Sequence, residues 1–447
     1  MPEIWAQTAA QLAAAIRGGS LSAAETVHAH LNRIAELEPR LHAWEALDGD
    51  RALAAARDWD ARRAAGETLP GLVGVPVGVK DIIATRGVPT TMGSPLYARH
   101  VPDHDAAVVE RLRAAGAIVV GKTVTTQFAF MDPPPTVNPW SAAHTPGGSS
   151  SGAAAAVAAR MVPASLGSQT GGSVVRPASF CGAVGLKPSF GRVSRRGVYP
   201  AAWSLDTVGV LTRTVEDAAL FLTAMAGHDP LDRMSSAEKV EDYLAALHQS
   251  RPPRLALLRD YLDRAAPRMR EHLQDVARRA EAAGARVVEA RLPLELDLAL
   301  AAHHVTMQAE TAANHAFQHG QHADAYAPRI RGYVEAGLLI PAAAYVHAQR
   351  VRRRLREGVD ALLADVDALL LPTANDQPPP PDTTGDLAFQ AVFTLLGMPA
   401  ITLPTGLSDE RVPFGSQLVG RRFREAALLG VARWMEQTLG VIGHPPV

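Results

Sequence analysis

The chain has one cysteine, Cys181, so no internal disulfide framework can hold it together. Lysine is almost as scarce. Of 44 basic residues only four are lysines, at positions 80, 122, 187 and 239, and arginine supplies the rest. An arginine stays charged at any working pH, whereas a buried lysine can lose its proton, so each lysine is a candidate for chemistry. Charge of either sign in excess is also missing. A formal net charge of −1 leaves no electrostatic footprint for nucleic acid or an acidic membrane. No run of about 18 uncharged apolar residues occurs, so no membrane span is expected. The first residues, "MPEIWAQTAAQLAAAIRGG", carry Glu3 early and lack a basic start and a long apolar segment, unlike a signal peptide. A cytoplasmic location is the default expectation.

What is present is ordinary globular material, 47% hydrophobic and 20% charged, with ample core for 447 residues. Thr8 with Gln11, and Ser22 with Glu25, predict capping boxes that open two helices in the first forty residues. "LVGVPVGVK" (72–80) reads as a buried strand or two short ones ending at Lys80. "DAAVVERLRAAGAIVVGKT" reads as a helix opened by Asp105, then a buried strand "AIVV". "GAAAAVAARM" (152–161) reads as a small-residue helix. Further strands are expected at 254–258, 285–290, 368–372 and 399–404. Strands alternating with helices predict an α/β fold, a sheet covered on both faces. "NDQPPPPDTTGD" (375–386) reads as an exposed connecting loop, and "RPPR" (251–254) as a divide between a front and a back half.

"TPGGSSSG" (145–152) and "QTGGSVV" (169–175) concentrate glycine and serine. A phosphate loop requires Gly-Lys-Ser/Thr, and no lysine follows here. "GSSSG" matches G-x-S-x-G with Ser150 at its centre, but the turn-rich lead-in "NPWSAAHTP" is a poor strand for a nucleophile elbow. A third reading joins both clusters to a lysine. A serine hydroxyl needs a base, and lysine serves only when neutral. Burial at the end of an apolar strand would lower the pKa of Lys80 towards that state. A second serine could relay the proton, and the glycine-rich backbone before Ser173 could converge N–H groups on an oxyanion. These parts suffice for acyl transfer to water with no metal or cofactor.

Several of these stretches resemble one family. "GVPVGVKDI", "TPGGSSSGAAAAVAA", "LGSQTGGSVVRPASFCGAVGLKPSFGRVS" and "SLDTVGVLTRTVEDAA" look like the amidase signature family, as does the closing "PAITLPTG…PFGSQLVGRRFREAALLGVA". The resemblance runs from about residue 5 to 440 and is densest over 72–220. It implies the amidase signature fold, a large mixed central sheet with helices on both faces, in a single domain over 1–447. N-terminal helices (1–65), a signature core with the catalytic residues (66–220) and the rest of the sheet with substrate-side helices (221–447) would be its parts.

It further implies a hydrolase of linear amides, with no cofactor and no metal. Lys80 falls on the family's base, Ser149 on its bridging serine held by a non-proline cis peptide, and Ser173 on its nucleophile. The oxyanion hole falls on the backbone of Thr170, Gly171, Gly172 and Ser173, and Ser150 supports the relay. Gln127, Phe128, Phe130 and Met131 fall on a segment that helps form the acyl pocket, with core packing the equal alternative. Gln169 and Gln127 depart from the Asp and Glu of many members, which leaves loop polarity open. The expected partner is a small amide (an aryl amide or anilide among them), carbamate or ester together with water, without nucleic acid or membrane; a homodimer is left open. A glutaminase component of a tRNA-dependent amidotransferase is the alternative of a different class.

Three other features compete for attention. His303, His304, His315, His319 and His322 include an i, i+4 pair, as a metal site would, but read better as packed or solvated helix residues. Cys181 reads as a buried inert thiol. Lys122 and Lys187 read as structural, with Lys187 the fallback base.

Overall fold

Both capping boxes close as the spacing requires. Thr8 accepts from Gln11 N and opens the helix Ala9–Arg17; Ser22 accepts from Glu25 N and opens Ala23–Leu41. The Asp217 carboxylate accepts the free N–H groups of Ala9 and Ala10, which pins the first helix to the body of the protein. The computed structural model describes residues 3–248, 251–440 and 442–447. Among these, no helix is long and apolar enough to cross a membrane.

One sheet gathers eleven strands: β1 (Trp44–Leu47), β2 (Pro76–Lys80), β3 (Ile118–Thr123), β4 (Ala164–Gln169), β5 (Val184–Lys187), β6 (Thr207–Thr212), β7 (Arg254–Leu258), β8 (Arg286–Ala290), β9 (Ala368–Pro372), β10 (Ala400–Leu407) and β11 (Pro413–Val419). Their spatial order is β1-β3-β2-β4-β6-β5-β10-β11-β9-β7-β8. Parallel pairs flank β2 and β7, and the remaining pairs are antiparallel, so the sheet is mixed. The front and back halves of the chain meet where β5 pairs β10, and the ladder is unbroken there.

The expected strands at 254–258, 285–290, 368–372 and 399–404 coincide with β7 to β10, with small shifts at their ends. Asp105 does not cap the following helix. That helix, Ala107–Ala114, starts after Ala106, and the Asp105 carboxylate instead accepts Arg86 N and pairs with Arg113. The proline-rich loop 375–386 is less exposed than its composition implies. Pro379 O accepts Thr145 N, and Thr384 is buried against the serine loop.

Lys80 ends β2 at the middle of the front half, with β3 on one side and β4 on the other. Every residue of β2, β3 and β4 is buried. The strand ends therefore deliver Lys80 and the loop after Gln169 to one place, under cover.

Candidate active site

Lys80 is fully buried, and its Nζ donates to Ser149 Oγ at 2.7 Å and to Ser168 Oγ at 2.9 Å. Burial pushes its pKa well below the ordinary 10.5, against a smaller upward pull from the Asp206 carboxylate. The lysine thus faces two hydroxyls and no carboxylate hydrogen-bonds to it, a setting that favours the neutral amine.

Ser149 sits in the turn before the helix Ser151–Ala158, and the Gly148–Ser149 peptide is cis. Three contacts shape this turn. Thr126 N donates to Ser149 O, Ser151 Oγ to Gly147 O at 2.7 Å, and Arg176 Nη2 to Gly148 O at 2.8 Å. Ser150 Oγ lies 3.3 Å from both the N and the O of Ser168. Ser150 therefore reaches neither Lys80 nor Ser149; it braces the end of β4, whose Ser168 hydroxyl holds the amine.

The second cluster fills the gap between β4 and the helix Val175–Cys181. Its carbonyls are tied back: Thr170 O to His303 Nε2 at 3.1 Å, Gly171 O to Thr394 Oγ1 at 2.8 Å, and Gly172 O to Arg176 N at 3.0 Å. The N–H groups of Gly171, Gly172 and Ser173 have no backbone or side-chain acceptor among the described residues. A row of amides with its carbonyls turned away is a cradle for negative charge. A side chain on Gly172 would have to displace the buried Gln390, whose Oε1 would lie 2.4 Å from the added Cβ. Gln169, whose identity left the polarity of this loop open, accepts Val174 N and Val175 N and donates to Thr394 Oγ1. Its amide anchors the loop and is not free.

Ser173 is 8% exposed, whereas Ser149 and Lys80 are fully buried. Its hydroxyl has no hydrogen-bond partner among the described residues, Ser149 included. The site thus holds one unpartnered, slightly exposed serine and a fully buried amine–hydroxyl pair.

Three contributors carry no signal of their own in the sequence. Ser168 shares Lys80 with Ser149. Asp206 accepts Thr170 Oγ1 at 2.6 Å and the N–H groups of Ala201 and Ala202, and burial raises its pKa. Arg176 anchors Gly148. All three lie inside stretches the family resemblance covers, but single polar letters have no spacing that would separate them from turn residues.

Of the expected pocket residues, Gln127 is fully engaged. Its Nε2 donates to Ala325 O at 2.7 Å and Ser94 Oγ at 3.2 Å, and its Oε1 accepts Ala327 N at 2.6 Å. Phe128 lies among Tyr97, Tyr199, His315 and Tyr326, with ring centroids 4.9 to 6.2 Å away, and Phe130 packs on Tyr333 at 4.5 Å. Met131 is partly buried against the core, and its carbonyl accepts Arg329 Nη1 at 3.1 Å. Tyr199 also lines a small cavity with Ser168 and Thr170, so this aromatic group abuts the site.

The five histidines share the helix Leu296–His322, and no His, Cys, Asp or Glu group able to hold a metal occurs among the described residues. His303 alone touches the loop at 170; burial lowers its pKa to about 4, so it is neutral. Lys187 donates to Pro188 O and Met398 O and meets neither serine. Lys122 serves Ile83 O, Thr85 and Thr90 beside Asp81, which makes it structural. Cys181 is buried, and burial raises its thiol pKa.

The model of the family described as Amidase matches residues 25–429. A glutamyl-tRNA(Gln) amidotransferase component from Anaeromyxobacter sp. (strain K) is 40% identical over 477 residues, covering 97% of this chain and 96% of that one. A solved structure of native peptide amidase from Stenotrophomonas maltophilia is 32% identical, with a TM-score of 0.86 over 98% of both chains. A chain from a protein complex that reveals the evolutionary origins of an s-triazine catabolic enzyme is 32% identical, with a TM-score of 0.92 over 98% of this chain and 99% of that one.

Proposed function

The chain belongs to the amidase family and has its fold, and as a hydrolase it cleaves amide C–N bonds; from that premise we propose that Ser173 is the nucleophile, Ser149 the relay and neutral Lys80 the base. The observation that carries this reading is the 2.7 Å contact of a fully buried lysine with Ser149 Oγ, which gives an otherwise inert hydroxyl a proton acceptor.

In this mechanism Ser173 Oγ attacks the carbonyl carbon while its proton passes to Ser149 Oγ and that of Ser149 to Lys80 Nζ. The carbonyl oxygen becomes an oxyanion on the N–H groups of residues 170–173. The C–N bond breaks, and the proton returns along the same path to the leaving amine, leaving an ester on Ser173. Water, deprotonated by the same relay, attacks that ester; the acid departs and Ser173 regains its proton. The Ser173–Ser149 hydrogen bond, open in the free protein, closes when substrate fixes the loop, as catalytic contacts commonly do.

The substrate we infer is a neutral linear amide with an apolar or aromatic group, an aryl amide being the simplest case. The support is Tyr199, the one ring of the Phe128 group that lines the small cavity beside Ser168 and Thr170, and the full engagement of Gln127 and Gln169, which leaves neither amide to recognise a polar substrate. Carbamates and esters present the same carbonyl to the same groups. The whole chain acts as one catalytic unit, since the sheet that carries the site runs through both halves.

A second reading, a glutaminase component within a tRNA-dependent amidotransferase, is favoured by the 40% identity to such a component. Hydrolysis of a panel of nitroanilides, short amides, aryl carbamates, nitrophenyl esters and glutamine separates the two. Ser173→Ala is expected to lose at least about 10³-fold in turnover of the best substrate with an unchanged melting temperature. Surviving activity in that variant would remove Ser173 as nucleophile. Glutamine as the best substrate would favour the amidotransferase reading.

A further inference from the structure

Arginine carries 40 of the 44 basic charges, and four guanidinium groups meet in a cleft that Lys80, Ser149 and Ser173 do not line. Arg352, Arg353 and Arg356, on the helix Ala342–Leu362, border this cleft of about 490 Å³ together with Arg422. The apolar part of the wall is Phe190, Met234, Leu396 and Phe423; the remaining lining groups are neutral, with no carboxylate among them. This volume is that of a small-molecule site.

The positive charge is under-compensated. Arg422 pairs with Asp360 at 3.1 Å, and Arg352 donates to Ser204 O and Oγ. The guanidinium groups of Arg353 and Arg356 make no ion pair or hydrogen bond among the described residues, and Arg356 Nε is buried without a partner. The crowding also shows in the pKa values. Burial first, and the neighbouring Arg356 second, bring Arg352 down to about 10 against a smaller upward pull from Glu310; burial and then Arg422 lower Arg356 against a smaller upward pull from Asp360. Guanidinium groups bind phosphate and carboxylate oxygens in pairs of parallel hydrogen bonds, and an anion here would relieve the repulsion.

We propose that this cleft binds a small organic anion, a phosphate head on an apolar body, with Arg353 and Arg356 on the head and the Phe190–Phe423 wall on the body. The head could come from free phosphate or from a phosphate ester, and the apolar wall favours the ester. Calorimetric titration with phenyl phosphate and with inorganic phosphate, on the full chain and on Arg353→Ala/Arg356→Ala, tests both points. Phenyl phosphate should bind saturably, at least about tenfold more tightly than inorganic phosphate. The double variant should weaken phenyl phosphate by about tenfold or more while melting temperature and amide turnover stay unchanged. No saturable binding, or equal affinity in the double variant, would overturn the site. Equal affinity for the two anions would overturn the organic ligand.

Discussion

Lys80→Met should lose about 10² to 10⁴-fold in kcat/KM on the best amide, the range a general base contributes, while the protein stays folded. Methionine fills the buried channel of the lysine stem without a charge. The cost is two hydroxyls, Ser149 and Ser168, that lose one partner, about 1 kcal/mol. The pH dependence gives a sharper readout. The protonated amine is inactive in this mechanism, so wild-type activity rises with pH through the pKa of Lys80, which burial places well below 10.5. Stability follows the same sign. Between the folded and unfolded pKa the unfolded chain binds a proton that the folded chain does not, so stability rises with pH across that window. The stability of Lys80→Met relative to wild type should therefore be greatest at low pH and shrink as pH rises. Adding Ser149→Ala to Lys80→Met should cost little more, because the two act as one unit. Retention of more than about a tenth of the activity by Lys80→Met would place the base elsewhere. Lys187→Met, which touches neither serine, serves as the control.

Elements were legible in the sequence where a feature is repeated or periodic. Apolar runs marked β7 to β10, and cap spacing marked the two N-terminal helices. Strands β4 and β6, which form the floor beside Lys80, were not legible. "ASLGSQ" is dominated by small residues, and "TVGVLT" is a short run of strand formers broken by a glycine; they form strands because each pairs on both sides in the middle of the sheet. Asp105 had the composition of a cap but found Arg86 N and Arg113, a tertiary choice that outranks a local one. The same limit held at the site. Lys80, Ser149 and Ser173 could be named from motif resemblance. Ser168, Asp206 and Arg176 bring no spacing of their own, and their roles follow from partners distant in sequence: Lys80 at 88 residues, Thr170 at 36 and Gly148 at 28. The Pro-rich loop is a parallel case. Its letters spell a surface, and its buried threonine lies against the serine turn.

Gly152→Ala should damage both stability and rate, although alanine is the better helix former. Gly152 is the second residue of the helix Ser151–Ala158, and its N–H donates to Val124 O. A Cβ there would lie 2.2 Å from Ala43 O and 2.5 Å from Val124 N. Both are backbone atoms at the β1–β3 edge, so no side chain can swing aside. The helix start must move instead, and Ser149 and Ser150 immediately precede it. Overpacking of this kind costs about 1–3 kcal/mol, and a displacement of about 1 Å at a catalytic group can cost about 10²-fold in rate. Thermal unfolding and kcat/KM of the variant measure the two losses separately. Gly320→Ala gives the opposite sign. Gly320 sits in the long helix Leu296–His322 with nothing within 4 Å of its would-be Cβ, so alanine should stabilise the helix by about 0.5–1 kcal/mol and leave turnover alone. The same substitution thus separates a glycine required by backbone contact from one that is merely tolerated. If Gly152→Ala instead matched wild type in both measurements, the close approach of that helix to β1 and β3 would be wrong, and with it the placement of Ser149 against Lys80.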